Sequence, residues 1–378
     1  MATDLSPTVK QTLQVTSLFA TVLVVGIHYK SDVPDSPLLA YESANELIQE
    51  WFLGAIARVA VPMFALTAGL FYFRSYDGTF SGYLKKLDAR VRTVFLPYFI
   101  VASSAFVFWL GVQRAREVQI ELTLSEFVSM WLLHPPAEQL WFLRDLLVLV
   151  AIAPIVYRMT RTRLLATLSA SGVFACWMLN APVFPIVAGW HVIHIETLCF
   201  FTLGAVLAKR PAMLNRLAET SLPGTVVVAT AWMALTVYRV CLRADFDIWY
   251  VEAYGIADLM IHQISILVGL VGLFLVAAQI QSRAPSLREW MVRLSGASFF
   301  VFLIHEYPLR AVVKEVAGQL LDPASSCWIL FPVVTVLAYG FALWSGRQFP
   351  NATGILTGGR TPARARELGA SPQTSVAQ

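Results

Sequence analysis

The sequence predicts an all-α protein: a polytopic bundle of about ten transmembrane helices with both termini in the cytoplasm. Hydrophobic residues make up 57% of the 378 residues and charged residues only 14%, against roughly a quarter charged in an ordinary soluble domain. So little polar surface could not cover the core of a soluble protein, so part of the surface must face lipid. Apolar stretches also recur along almost the whole chain, and crossing a membrane takes a helix of roughly 20 such residues.

The predicted spans run from residue 12 to residue 345. The first is interpreted as a retained span, because it is too long for the apolar part of a signal peptide and lacks a small-residue cleavage site. The sixth is short, and the fourth and ninth contain charged residues. In order, the spans are 12–28, 56–73, 94–112, 139–157, 164–180, 193–208, 223–241, 257–279, 294–312 and 327–345.

The distribution of Lys and Arg supports an even number of spans. With a cytoplasmic N-terminus and ten crossings, most of the 28 Lys and Arg residues fall on the cytoplasmic side, as the positive-inside rule expects. The net charge of +4 then reflects topology and not nucleic-acid binding, because the cations are spread over several segments. We expect residues 1–346 to form the membrane domain and 347–378 a disordered cytoplasmic tail without apolar periodicity.

Ionisable side chains within predicted spans are candidate functional residues, since each costs at least about 2–3 kcal/mol at mid-membrane. His28 ends the first span, and an imidazole titrating near pH 6.5 suits a general base. An interfacial His-Tyr pair explains the same position equally well. Arg144 and Asp145 begin the fourth span, just after Trp141. They either face the bundle interior as functional groups or form structural ion pairs between helices.

Two further places carry ionisable groups. His305 and Glu306 follow an otherwise apolar run in the ninth span, and Glu196 begins the sixth span shortly after His191 and His194. The histidine spacings fit no standard zinc signature, so no metal is expected.

A basic stretch leads into the third span at Pro97-Tyr98. It either anchors the chain at the membrane surface or captures a phosphorylated cytosolic ligand, because guanidinium groups bind phosphate bidentately. Its candidate ligand-binding cations are Lys85, Lys86, Arg90 and Arg92.

Six segments, in order, resemble the membrane-bound acyltransferase 3 family, the integral-membrane O-acyltransferases of bacterial glycans. Two positions depart from the family pattern: the arginine often found eleven residues before the histidine is Ser17 here, and the serine of a Ser-Gly pair is Ala68. The similar segments are Gly26-Ile27-His28, Val61 to Gly69, the basic run into Pro97-Tyr98, Leu140 to Leu147, Phe200 to Gly204, and Ser298 to His305 followed by Pro308.

The resemblance implies an enzyme of the bacterial inner membrane that binds membrane lipid, an acyl-CoA donor and a glycan acceptor. It would move an acyl group, acetyl or succinyl, onto a hydroxyl of a cell-envelope glycan or exopolysaccharide, with no permanently bound cofactor. His28 would act as general base, or as a nucleophile that accepts the acyl group briefly. Arg144 would stabilise the oxyanion and His305 would orient the acceptor. The basic stretch would hold the donor's phosphates, and the expected substrate contacts are Trp141, Asp145, Glu196 and Glu306.

Two other functions fit a bundle with buried charges. A polysaccharide or lipid-linked sugar transporter is one, although the sequence has no paired Gly/Pro-interrupted spans in matching halves. The other is a membrane scaffold that has lost activity, a reading to which Ser17 and Ala68 lend support.

Overall fold

The structure is a computed structural model that describes residues 4–30, 44–183, 186–187, 190–242, 255–307, 309–317, 320–321 and 323–360. This part of the chain is helical apart from connecting turns and one two-residue hairpin, in which β1 (Ile186–Val187) pairs antiparallel with β2 (Trp190–His191). The helices are α1 Pro7–Ile27, α2 Ala44–Arg74, α3 Phe80–Ala115, α4 Leu124–Leu132, α5 Trp141–Ala151, α6 Ala153–Met159, α7 Arg163–Met178, α8 Ile195–Ala208, α9 Pro211–Ala218, α10 Leu222–Leu242, α11 Ile256–Arg283, α12 Pro285–Ser295, α13 Ser298–Ile304, α14 Leu309–Ala317, α15 Pro323–Gln348 and α16 Pro350–Leu356.

Two of the long helices change their winding along their length. Helix α2 passes through a π-helical stretch (Glu50–Ala55) and a 3-10 turn (Ile56–Val59) before its last α-helical part, Ala60–Arg74. Helix α3 has a π-helical stretch at Val91–Phe95, which begins directly after Arg90 and includes Arg92. Such local changes of winding occur often at functional sites.

Six helices in the described part of the chain are long and apolar enough to cross a membrane, and the number rises to eight if each of two bent pairs is one span. The bent pairs are α5 with α6, at 62°, and α8 with α9, at 94°. The protein is therefore a multi-pass helical membrane protein, but the count of ten is not confirmed. Helix α7, the fifth predicted span, is a shorter apolar helix of 16 residues.

The ninth predicted span, 294–312, is not one helix. Helix α12 ends at Ser295, α13 covers only seven residues, and α14 begins at Leu309. The sequence supplies a reason for the second break, because polar His305 and Glu306 precede Pro308, whose missing N–H cannot continue a helical ladder. The break leaves His305 at the end of a short helix.

The segment from residue 347 onward, predicted to be a disordered tail, begins with helical structure. Helix α15 extends to Gln348, and α16 follows and packs against α15 and α3. The expectation of a structureless tail is therefore wrong for residues 347–360, because Pro350 can start a helix at its first turn. Residues 361–378 lie outside the described part of the chain.

Helix α1 lies inside the bundle and contacts α2, α11, α12 and α13. Helices α2 and α8 pack closely, because two glycines let the backbones approach. A Cβ added at Gly204 would lie 2.2 Å from the carbonyl oxygen of Leu66, and one added at Gly69 would lie 2.2 Å from that of Phe201. This pair fixes α2, which forms one wall of the site.

Candidate functional site

A cavity of about 860 Å³ lies between α1, α2, α5 and α13. Along α2 its wall runs from Phe64 to Tyr72, and along α1 from Leu13 to Thr21, each about 12 Å of helix rise. The wall is mainly apolar, with a polar row on α1 formed by Gln14, Ser17 and Thr21. An elongated, mostly apolar cavity with a few polar groups is the usual form of a site for a small organic ligand.

One end of the cavity is cationic. Arg90, at the end of the basic stretch, lines it together with Arg360. The Arg90 guanidinium lies 6.0 Å from the ring centroid of Tyr72, and the Lys86 ammonium lies 4.8 Å from the same centroid. Lys86 also donates to the hydroxyl of Ser75 at 2.7 Å. Of the four predicted cations, Arg90 and Lys86 are thus the two grouped around this mouth.

The other two predicted cations lie at the surface. Arg92 is 75% exposed and forms a 3.0 Å ion pair with Asp88 one turn earlier. Lys85 is exposed and, like Arg92, is not part of the cavity wall. Arg90 and Arg92 are two residues apart, which is about half a helical turn, so their side chains leave opposite faces of the helix and only Arg90 faces inward.

Three aromatic rings close the opposite end of the cavity. The rings of Phe64, Phe142 and Phe302 stand at centroid distances of 6.1 Å (Phe64 to Phe142), 6.3 Å (Phe64 to Phe302) and 6.1 Å (Phe142 to Phe302). All three line the cavity, and Phe302 also lies 5.9 Å from the ring of His305. This aromatic triangle therefore lies between the cavity and His305.

The structure brings His28 and His305 together, with ring centroids 5.1 Å apart. Each residue caps the C-terminal end of its helix, His28 on α1 and His305 on α13. Tyr29 fixes this arrangement by donating from its hydroxyl to the carbonyl oxygen of His305 at 3.0 Å. Gln139 donates to the carbonyl oxygen of Leu303 at 2.9 Å. Two residues separated by most of the sequence thus form one pair.

The hydrogen bonds of His305 determine its tautomer. Its Nδ1 lies 2.9 Å from the carbonyl oxygen of Phe302 and 3.2 Å from that of Val301. A carbonyl only accepts, so Nδ1 carries the proton and Nε2 of the neutral ring holds a lone pair. Nε2 is buried and has no hydrogen-bond partner among the described residues. It is an acceptor available to a hydroxyl or to the neighbouring imidazole.

Asp145 and Arg144 lie in a second polar group. The fully buried Asp145 accepts from the His194 backbone N–H at 3.0 Å, from Nδ1 of His194 at 2.8 Å and from the Thr197 hydroxyl at 2.7 Å. Trp141 packs edge-on against the His194 ring at 4.6 Å. His194 is thus a member of this group that the sequence analysis noted but did not assign.

Arg144 is hydrogen-bonded to the loop between α4 and α5. Its guanidinium donates to the carbonyl oxygen of Leu133 and lies within charge-interaction range of Asp145. Burial, and then the charge of Arg144, lower the pKa of His134 in this loop below its ordinary value, so that histidine stays neutral at neutral pH. Arg144 is not part of the cavity wall.

The two remaining predicted substrate contacts have other surroundings. Glu306 forms a 2.8 Å ion pair with Arg310 one turn later. Glu196 accepts from the indole N–H of Trp177 at 3.4 Å, and the charge of Arg58 acts on it. Neither carboxylate lines the cavity.

A third polar group involves residues that the sequence analysis missed. Buried Glu50 pairs with Lys30 at 2.6 Å and with Arg239 at 3.8 Å, and the charges of Arg58 and Arg239 act on buried His262. Arg58 and Arg239 fall inside predicted spans, so the rule that singled out Arg144 would have found them too. Among the described residues, no group of three His, Cys, Asp or Glu side chains is placed to hold a metal ion.

Together these features define an integral membrane protein whose helices enclose a mainly apolar cavity with cations at one end, next to a pair of histidines of which His305 is buried and His28 half-buried. Such a protein can hold an elongated anionic ligand and has imidazoles for proton transfer. The chain belongs to the acyltransferase 3 family: the family's sequence model, described as an acyltransferase domain, matches residues 18–347. The protein is accordingly an acyltransferase, as the resemblance predicted, and the transporter alternative is set aside.

A curated relative matches the chain over nearly its whole length. In an alignment of 391 positions, the chain is 27% identical to the succinoglycan biosynthesis protein ExoH of Rhizobium meliloti (strain 1021), and the alignment covers 94% of this chain and 97% of the relative. No solved structure matches the chain. Both departures from the family pattern, Ser17 and Ala68, are part of the cavity wall.

Proposed function

We propose that the protein transfers an acyl group, acetyl or succinyl, from acyl-CoA to a hydroxyl of a cell-envelope glycan or exopolysaccharide at the bacterial inner membrane. The observation that carries the proposal is one cavity with a cationic mouth at one end and the His28–His305 pair beyond the other. A relative whose name states succinoglycan biosynthesis supports a polysaccharide acceptor.

The chemical groups of the acyl-CoA donor match the groups that line the cavity. The phosphates of acyl-CoA would bind at Arg90 and Lys86, since charge-assisted contacts to phosphate are among the strongest hydrogen bonds. The pantetheine arm carries amide groups, which the polar row Gln14, Ser17 and Thr21 can hydrogen-bond. The cavity wall ends at Thr21, about 10 Å of helix rise before His28. The thioester would reach the histidines once the rings of the aromatic triangle rotate aside.

The reaction follows from the histidine pair. His28 would take the proton of the acceptor hydroxyl while the hydroxyl oxygen forms a bond to the thioester carbonyl carbon. As the tetrahedral intermediate collapses, the carbon–sulfur bond breaks and the leaving thiolate receives the proton from His28. His305 would orient the acceptor hydroxyl through the lone pair on Nε2. The alternative, brief acylation of His28 itself, uses the same two partners.

The proposal keeps five further residues, and the structural evidence for a role in the reaction differs among them. They are Arg144, Trp141, Asp145, Glu196 and Glu306. Asp145 and Trp141 are linked through His194, on which an acceptor sugar can stack or hydrogen-bond. Arg144 is the proposed cation for the oxyanion. Its bond to the loop at Leu133 equally supports a role in holding that loop. Glu196 and Glu306 have partners of their own, so acceptor contacts there would have to be shared with them.

The test is His28→Ala in purified, reconstituted protein, with radiolabelled acetyl-CoA and succinyl-CoA supplied separately and glycan from a deletion strain as acceptor. We expect one donor to label the glycan with the wild type, and turnover to fall by about 10²- to 10⁴-fold in the variant. His134→Ala, which alters a loop histidine that is not part of the cavity wall, is the matched control. Normal glycan acylation by His28→Ala would exclude the mechanism, and no transfer from either donor by the wild type would exclude the function.

A further inference from the structure

The C-terminal segment 350–360 lies beyond the residues matched by the family, which end at 347, yet it reaches the candidate site. Helix α16 packs on α15 and α3. It is held by the hydroxyls of Ser345 and Thr353, 2.7 Å apart, the latter residue being buried. A segment anchored in this way has a defined position next to the basic end of α3.

A glycine turn then directs the chain toward the cavity mouth. Gly358 and Gly359 have φ angles of +61° and +81°, in the left-handed region that glycine adopts without strain. A Cβ on Gly358 would lie 2.4 Å from the Cα of Thr93, so only glycine allows this approach to α3. Both features are needed to place the next residue, Arg360.

Arg360 extends over the cavity mouth. Its guanidinium lies 4.3 Å from the ring centroid of Phe299 and donates to the carbonyl oxygen of Thr93 at 3.3 Å. Phe299 and Gly359 also line the cavity. The contact with an aromatic face holds the cation without neutralising it.

Arg360 and Arg90 are two like charges at one opening. None of the described residues in the cavity wall is an Asp or Glu. Arg360 is exposed, and a guanidinium group is protonated at neutral pH. Two protonated guanidinium groups facing one opening, with no carboxylate in its wall, form a site for an anion.

We propose that Arg360 completes the donor site, binding together with Arg90 the phosphate groups of the nucleotide part of the thioester donor. The inference rests on the proposed function for the identity of the donor. It adds a residue outside the family's matched region and assigns the C-terminal segment a role in donor binding rather than in topology alone.

The experiment measures CoA binding to purified full-length protein by titration calorimetry. We expect Arg360→Gln to weaken CoA binding about tenfold, a typical effect of losing one charge-assisted contact. S-acetylpantetheine has no phosphate, so its binding should not change. Steady-state assays should give a raised KM for acyl-CoA with kcat within about twofold of the wild type. Arg347→Gln, an exposed cation at the end of α15 that is not in the cavity wall, is the matched control.

A second measurement tests whether residue 360 lies against the bound nucleotide. In Arg360→Cys protein, saturating desulfo-CoA, which has no thiol to consume maleimide, should slow maleimide modification at position 360 several-fold, as read by peptide mass spectrometry, and should not protect Arg347→Cys. If Arg360→Gln binds CoA as tightly as Arg347→Gln, or if desulfo-CoA gives no protection at position 360, the inference is wrong. Wild-type protein that neither binds CoA nor transfers an acyl group would instead refute the proposed function.

Discussion

His305 has its two ring nitrogens in different situations, and this difference defines what it can contribute. Nδ1 is committed to backbone carbonyls of its own helix, whereas buried Nε2 points away from those bonds and has no partner among the described residues. The ring is therefore held in one tautomer with a lone pair next to His28. Such fixed orientation is what a group that positions a hydroxyl requires.

Replacing His305 by Asn tests the contribution of Nε2 separately from that of Nδ1. The amide of Asn can still donate to the carbonyl of Phe302, but nothing replaces Nε2. We expect the thermal unfolding temperature to stay within a few degrees of the wild type and turnover to fall on the order of 10²-fold. Activity within twofold of the wild type would show that Nε2 has no part in the reaction.

Asp145 holds its neighbours through three accepted hydrogen bonds while fully buried. All three donors meet Oδ2, and Oδ1 has no hydrogen-bond partner among the described residues, so Asp145→Asn can keep the three contacts through its amide oxygen but loses the carboxylate charge that strengthens them. We expect the free energy of unfolding to drop by about 1–3 kcal/mol, read as a lower unfolding temperature of detergent-solubilised protein. The control is Asp88→Asn, at a surface ion pair worth at most about 1 kcal/mol. Equal unfolding temperatures for the two variants would contradict this account of Asp145.

At the scale of elements, the contact of α2 with α8 depends on glycine. The Phe-Phe-Thr-Leu-Gly segment places Gly204 against the backbone of Leu66, where a Cβ would stand 2.2 Å from a carbonyl oxygen. Because the clash is with backbone and not with a flexible side chain, only a separation of the helices can relieve it. Phe64, Thr67 and Ala68 on α2 line the cavity, so such a separation would also change the cavity wall.

Gly204→Ala should therefore destabilise the protein by about 1–3 kcal/mol, the usual range for overpacking, and reduce donor binding as well. Gly340→Ala is the matched control, since a Cβ there meets nothing within 4 Å. In that helix interior alanine should be neutral or stabilising by up to about 1 kcal/mol. Thermal unfolding of both variants side by side tests the pair, and equal unfolding temperatures would show that the close approach does not limit stability.

Elements with long apolar runs could be predicted from sequence, and elements set by tertiary contacts could not. The helices at 7–27, 222–242, 256–283 and 323–348 follow from hydrophobicity and length alone. The break at α13 depends on local polar residues that a hydropathy window averages out. Helix α16 has few long apolar side chains, so nothing in its own sequence indicates that it packs against α15 and α3.

The same distinction holds for the site. The cost of ionisable groups in lipid singled out His28 and His305, which the fold brings together. It does not tell which ionisable side chains lie in the same cluster, because this depends on the rotation of each helix and on which helices are neighbours. Arg90 and Arg92, two residues apart, thus received equal weight, although only Arg90 faces the cavity. Arg360 was missed because composition alone assigned it to a tail.

At the scale of the whole molecule, the site is polarised from one end of the bundle to the other. The cations Arg90 and Arg360 lie at the start of α3 and after α16, while His28 lies at the far end of α1. If the donor comes from the cytosol, the cationic end must face the cytoplasm, as the predicted placement of Lys and Arg requires. The proposed chemistry therefore requires the same orientation of the bundle in the membrane as the topology prediction.

Helix α3 offers a direct test of that orientation, because it extends from the cationic end to the loop before α4. We expect Asp88→Cys to react with a membrane-impermeant maleimide in inside-out vesicles and not in spheroplasts. Glu117→Cys, beyond the other end of α3, should react in spheroplasts. Both positions are exposed in the structure, and peptide mass spectrometry distinguishes the introduced thiols from exposed Cys241. The reverse pattern would turn the cationic mouth away from the cytosolic donor, and the proposed route of acyl-CoA into the cavity would then be wrong even though the enzyme class would stand.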